Sequence, residues 1–119
     1  MADDKSHKGD CFEVAANYTV DNPDKNLLLV HGVVIGRGEQ NSGMAFIHAW
    51  IETSDGLVID NSNSKNIVCP IELYYELGNI GKAIKYNRDE AMINLLKYKN
   101  FGDWDDSLKA SINNKRGEL

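Results

Sequence analysis

The sequence predicts an α+β domain: a small antiparallel sheet packed against an N-terminal helix that carries a cysteine, with two further helices covering it. Three observations lead there. Residues 27–35 (Leu-Leu-Leu-Val-His-Gly-Val-Val-Ile) are rich in β-branched side chains and apolar on both faces, as in a strand buried on two sides. Residues 45–51 alternate, and Ser54-Asp55-Gly56 then turns the chain into Leu57-Val58-Ile59-Asp60, the pattern of a hairpin. Helical signals lie only outside this block. A chain of 119 residues is about one usual domain, and its composition, 42% hydrophobic and 26% charged, is that of a foldable chain.

The elements follow in order. Residues 1–9 are polar and read as a loose arm. Asp10 then starts a helix, with Glu13 three residues on to complete a capping box. Phe12, Ala15 and Ala16 form its apolar stripe, and the turn cluster Asp21-Asn22-Pro23-Asp24 ends it. After the strand at 27–35 comes a glycine-containing polar loop to Gly43, and the second strand runs over 44–53. Residues 61–66 are polar loop. Pro70 suits the first turn of a helix to about Leu77, closed by Gly78. Residues 83–86 read as a short strand, for a sheet of three to five. Asn87 with Glu90 is a second capping signature, opening a helix to about Lys99 with Ala91, Leu95 and Tyr98 on one stripe. The stretch from Phe101 carries Trp104, which is expected to dock the tail, and residues 113–119 are expected to be loose. No linker divides residues 1–119.

Charge and composition exclude several function classes. Thirteen basic against 18 acidic side chains leave a net charge of −5, which argues against a nucleic-acid scaffold held by phosphate contacts. The longest apolar run, Leu27 to Val30, is four residues, far short of the roughly 20 a membrane span needs. The first five residues lack the apolar stretch of a signal peptide, so the expected compartment is the cytoplasm, with Cys11 and Cys69 as free thiols. His7, His31 and His48 do not supply zinc-finger spacing, and neither a metal nor a cofactor is expected.

Three residues could carry chemistry together. Cys11 falls in the first turn of the predicted helix, where unpaired N–H groups and the helix dipole favour a thiolate; the competing reading is a small buried hydrophobe. Strand alternation puts Phe46, His48, Trp50 and Glu52 on one face and Ala45, Ile47, Ala49 and Ile51 on the other, the obvious core face. If Ser54-Asp55-Gly56 is a three-residue turn, paired position numbers sum to about 110, placing Asp60 opposite Trp50 and diagonal to His48. A two-residue turn would reverse that face. Asp60 also reads as a strand-end residue capping the next turn. Nucleophile, base and orienter together match the scheme of a cysteine hydrolase.

Cys11 near a helix start, Leu-Val-His-Gly on a strand, His48-Ala49-Trp50-Ile51-Glu52, and Gly56-Leu57-Val58-Ile59-Asp60 resemble the transglutaminase-like branch of the papain-like cysteine proteins. The chain is especially similar to minimal bacterial members such as the leader peptidases of lasso-peptide biosynthesis. The likeness covers residues 11 to about 60. It implies Cys11 as nucleophile, His48 as general base and later acid, and Asp60 as its orienter. Two departures stand out: residues 1–10 contain no Gln or Asn to donate to an oxyanion, and little chain precedes the cysteine to wall a groove. The Cys11 N–H, helped by the 36–43 loop, and a partner chain completing the site are the readings that meet them.

The expected function is therefore a thiol-dependent hydrolase or acyltransferase acting on a peptide amide or thioester through an acyl-enzyme. A catalytically inactive binding or inhibitory protein that keeps the fold, like a phage accessory factor, is the alternative. Gly43 and Trp50 are expected beside the substrate, Trp50 as a lid over the His–Asp pair. His31 reads as a satisfied core histidine, Cys69 as packing or a rival nucleophile should Cys11 be buried, and Glu52 as a solvated strand residue. Gly36-Arg37-Gly38 is not a phosphate loop, because no helix follows it.

Overall fold

The structure, a computed structural model, describes residues 10–35, 45–62 and 66–117, the last five of these by backbone alone. It is α+β. Helix α1 spans Cys11–Asp21 and is followed by a short 3-10 turn at Pro23–Lys25. Strands β1 (Leu28–Ile35), β2 (Ala45–Glu52), β3 (Leu57–Asp60) and β4 (Ile67–Pro70) come next, then α2 (Ile71–Leu77) and β5 (Ala83–Tyr86). Helices α3 (Arg88–Tyr98) and α4 (Asp106–Gly117) complete the chain. The sheet is antiparallel throughout, in the order β4-β3-β2-β1-β5.

The hairpin fixes the register on which the site depends. Thr53 N–H donates to Leu57 C=O at 2.8 Å, and Gly56 holds the left-handed φ of +91° that a three-residue turn requires. Ile51 pairs with Ile59 and Glu52 with Val58, so position numbers sum to 110 as the turn predicts.

Two cores flank the sheet. On one face Leu29, Ala49 and Ile51 pack under Cys11, Ala15 and Ala16 of α1 and Ala91 of α3, with Phe101 and Trp104 brought back against them. On the other, Val30, Trp50 and Val58 pack under Ile71, Tyr74 and Tyr75 of α2. On that second face Glu52 was expected to be a solvated strand residue. Instead Glu52 is buried there, accepting from Trp50 Nε1 (3.1 Å) and Tyr75 Oη (2.6 Å) and paired with Lys85 Nζ (2.8 Å). The reason is α2, which covers that face with two tyrosines whose hydroxyls need an acceptor.

Several other expectations need correction. Strand β4 was not expected, and Pro70 ends it as the extended residue before α2 instead of opening the helix. Three helices follow α1, not two, because residues 106–117 are helical, including the part of 113–119 that is described. Tyr98 is exposed, off the buried stripe of α3. Of the two predicted capping boxes only one forms. Asn87 is extended (φ −76°, ψ 177°) and exchanges bonds with Glu90, whereas Asp10 sits at φ −87°, ψ 6° with no side-chain bond to the first turn. An N-cap needs the extended backbone to aim its oxygen at those N–H groups. The arm at 1–9 and the loop at 36–43 lie outside the described residues. Among those residues no helix is long and apolar enough to cross a membrane.

Candidate active site

The site forms where β3 stops short of β2. His48 lies on β2 beyond the end of the β2–β3 ladder, facing the same side as Asp60, the last residue of β3. His48 Nε2 lies 2.9 Å from Asp60 Oδ2. A carboxylate only accepts, so Nε2 carries the proton, and Nδ1 is left as the acceptor of the neutral ring. Cys11, the first residue of α1, lines a void with Asp60 and lies near enough to His48 to help raise its pKa. The three residues expected from the sequence are thus brought together, from α1, β2 and β3.

Asp60 is the hub. Its Oδ1 accepts from the N–H (3.1 Å) and Oγ (2.6 Å) of Ser62, and its Oδ2 accepts from His48 and from Tyr74 Oη (2.7 Å). One oxygen thus caps the following turn, and the other bonds to His48. Burial opposes its ionisation, but His48, Ser62 and Tyr74 outweigh it and hold the carboxyl well below the usual range. Burial likewise disfavours the His48 cation, yet the Asp60 hydrogen bond and charge, together with Cys11, push it up to about 9. Burial and the neighbouring carboxylate raise the Tyr74 hydroxyl, so it stays a donor.

Trp50 is fully buried and cannot touch a substrate, which corrects the expectation for it. Its ring lies behind His48, near-parallel at 29° and 6.1 Å between centroids, and Glu52 anchors its N–H. Gly32 makes room for it: a Cβ there would stand 2.5 Å from Trp50 Cη2. Gly43, the other residue expected beside the substrate, lies outside the described residues.

A cleft of about 360 Å³ opens beside His48, Asp60, Tyr74 and Cys69. Cys11 lines not this cleft but a separate small void, with Asp60, Asn61 and Ser62, and keeps only 5% of its surface exposed. Cys69 is the less buried thiol, on β4 opposite Val58. His31 is in the core as expected but is not satisfied: among the described residues neither ring nitrogen has a hydrogen-bond partner. Phe12, Tyr86 and Trp104 surround it with ring centroids 4.9 to 5.2 Å away, and burial holds its pKa down at about 4. Among the described residues no group of three or more His, Cys, Asp or Glu could hold a metal ion.

Sequence reasoning missed Ser62 and Tyr74. Asp60-Asn61-Ser62 carries the local signal of an Asx turn; Tyr74 carries none, because its reach to Asp60 depends on how α2 docks. The chain matches no family model, no curated protein and no solved structure.

Proposed function

We propose that the protein is a thiol-dependent hydrolase or acyltransferase acting on a peptide amide or thioester, in the manner of the transglutaminase-like proteins it resembles, and that it works in the cytoplasm. One observation carries the reading: His48 is held by Asp60 through Nε2, and Cys11 at a helix start lines a void with that same Asp60. The reacting form has His48 neutral, a form whose share grows as pH rises toward its raised pKa of about 9, and there Nδ1 takes the thiol proton as the sulfur attacks the carbonyl carbon, forming the C–S bond. The developing oxyanion is met by first-turn N–H groups of α1, that of Cys11 among them, which have no partner within the helix. The imidazolium returns the proton to the leaving amine or thiol as that bond breaks. Water or an amine, losing its proton to Nδ1, then attacks the acyl carbon and releases Cys11. Asp60 stabilises the imidazolium throughout.

The small exposure of Cys11 favours the other reading, an inactive binding or inhibitory protein. A short peptide thioester separates the two. Quenched mixtures should contain protein acylated on Cys11 with release of one thiol, and Cys11→Ser should form no such adduct. An unmodified protein, or acylation of Cys69 instead, would overturn the proposal.

A further inference from the structure

An oxyanion formed at Cys11 lies two bonds from its sulfur, so a side chain that donates to it must border that residue. Besides the thiol itself, the described residues lining the void beside Cys11 offer three side-chain donors: Trp50 Nε1, Ser62 Oγ and the amide of Asn61. Trp50 already donates to Glu52 and Ser62 to Asp60, which leaves Asn61. We infer that Asn61 is a further catalytic residue, its Nδ2 donating to the oxyanion alongside the first-turn N–H groups of α1. The inference rests on the reading of Cys11, His48 and Asp60 as an acyl-transfer site, and it supplies the side-chain donor that residues 1–10 lack.

Placement is the first argument. Asn61 stands between Asp60 and Ser62, whose N–H and Oγ both donate to Asp60 Oδ1. That turn fixes the backbone on either side of Asn61, so its amide borders Cys11 from a firm support.

The state of the amide is the second. Asn61 Oδ1 is buried and has no hydrogen-bond partner among the described residues. A buried acceptor left unpaired destabilises the fold, and native structures keep few of them. With that oxygen unbonded, a half-turn about the Cβ–Cγ bond brings Nδ2 to the same place without breaking a hydrogen bond of Oδ1. An attacked carbonyl oxygen only accepts, so the nitrogen is the end it selects. Neutrality matters too. A cationic donor at this position would compete with His48 for Asp60, whose side chain borders the same void.

Two reagents on the same sulfur test this. Acylation by a short peptide thioester passes through an oxyanion. Iodoacetamide reacts at saturated carbon, where C–S forms as C–I breaks and iodide leaves, and no oxyanion develops. In Asn61→Ala and in Asn61→Asp, acylation of Cys11 should fall by about 10²- to 10³-fold, while iodoacetamide labelling of Cys11 stays within about twofold of the wild type. Asp keeps the shape of the amide and replaces its donor by an acceptor, so Asn61→Asp should lose at least as much as Asn61→Ala. Acylation unchanged in both variants would overturn the inference. So would an equal loss with both reagents, which marks a structural role; either result leaves the acyl-transfer reading standing. No acylation of Cys11 in the wild type would overturn that reading and this inference with it.

Discussion

Asp60 divides its two oxygens between a turn and an imidazole, and that division sets what its replacement should do. In Asp60→Asn one acceptor oxygen becomes a donor facing His48 Nε2 and Tyr74 Oη, themselves donors. Acyl transfer should fall by about 10²- to 10⁴-fold without vanishing, as orienter replacements do. The His48 titration midpoint, followed by NMR of the ring protons, should drop from about 9 toward or below its ordinary 6.5, since Asp60 is the largest influence raising it. An unmoved midpoint would take the carboxylate out of the site. Tyr74→Phe removes only one donor and should cost about 1 kcal/mol in chemical denaturation, with a smaller loss of turnover. The His48–Asp60 pair was legible because strand alternation and turn length are local arithmetic. Glu52 and Trp50 were misread because period-two patterning assigns a face but not what covers it.

The elements show the same boundary between local and distant causes. Asp10 and Asn87 carry the same capping signature, yet only Asn87 has the backbone that uses it, and nothing in the four-residue pattern separates them. Strand β4 escaped notice because four residues ending in proline are too few for a period, and α4 because its face is mostly polar. The β1–β2 pairing makes a prediction at this scale. Gly32 pairs with His48, and the Trp50 ring overlies it so closely that Gly32→Ala must push that ring away. The variant should lose about 1–3 kcal/mol of stability, and its reactivity at Cys11 should fall with it, because the displaced ring is the wall behind His48. Unchanged thermal unfolding would contradict the packing described here.

At the scale of the whole molecule, two histidines with opposite shifts shape stability against pH. His31 stays neutral in the folded protein down to about 4, while the unfolded chain binds its proton below 6.5. Between those values the unfolded state holds the extra proton, so stability rises with pH there, by on the order of 3 kcal/mol. His48 keeps its proton up to about 9 while the unfolded chain loses it above 6.5. Across that window the native state holds the extra proton, so stability falls as pH rises. Urea unfolding should therefore give a maximum near pH 6.5 with losses on both sides. His31→Leu should flatten the acid limb and leave the alkaline one. A plateau from pH 5 to 9 would contradict both assignments. Neither limb was legible in the sequence, since both shifts come from burial and from partners on other elements.

The central claim is that His48 activates Cys11. Its most direct measurement is the rate of iodoacetamide labelling at each cysteine, mapped by mass spectrometry, in the wild type and in His48→Gln, whose amide can still donate to Asp60. Cys11 should be labelled at least tenfold faster than Cys69 despite its deeper burial, with that advantage lost in His48→Gln. Cys69 labelled first, or Cys11 labelled at the same rate in both proteins, would contradict it.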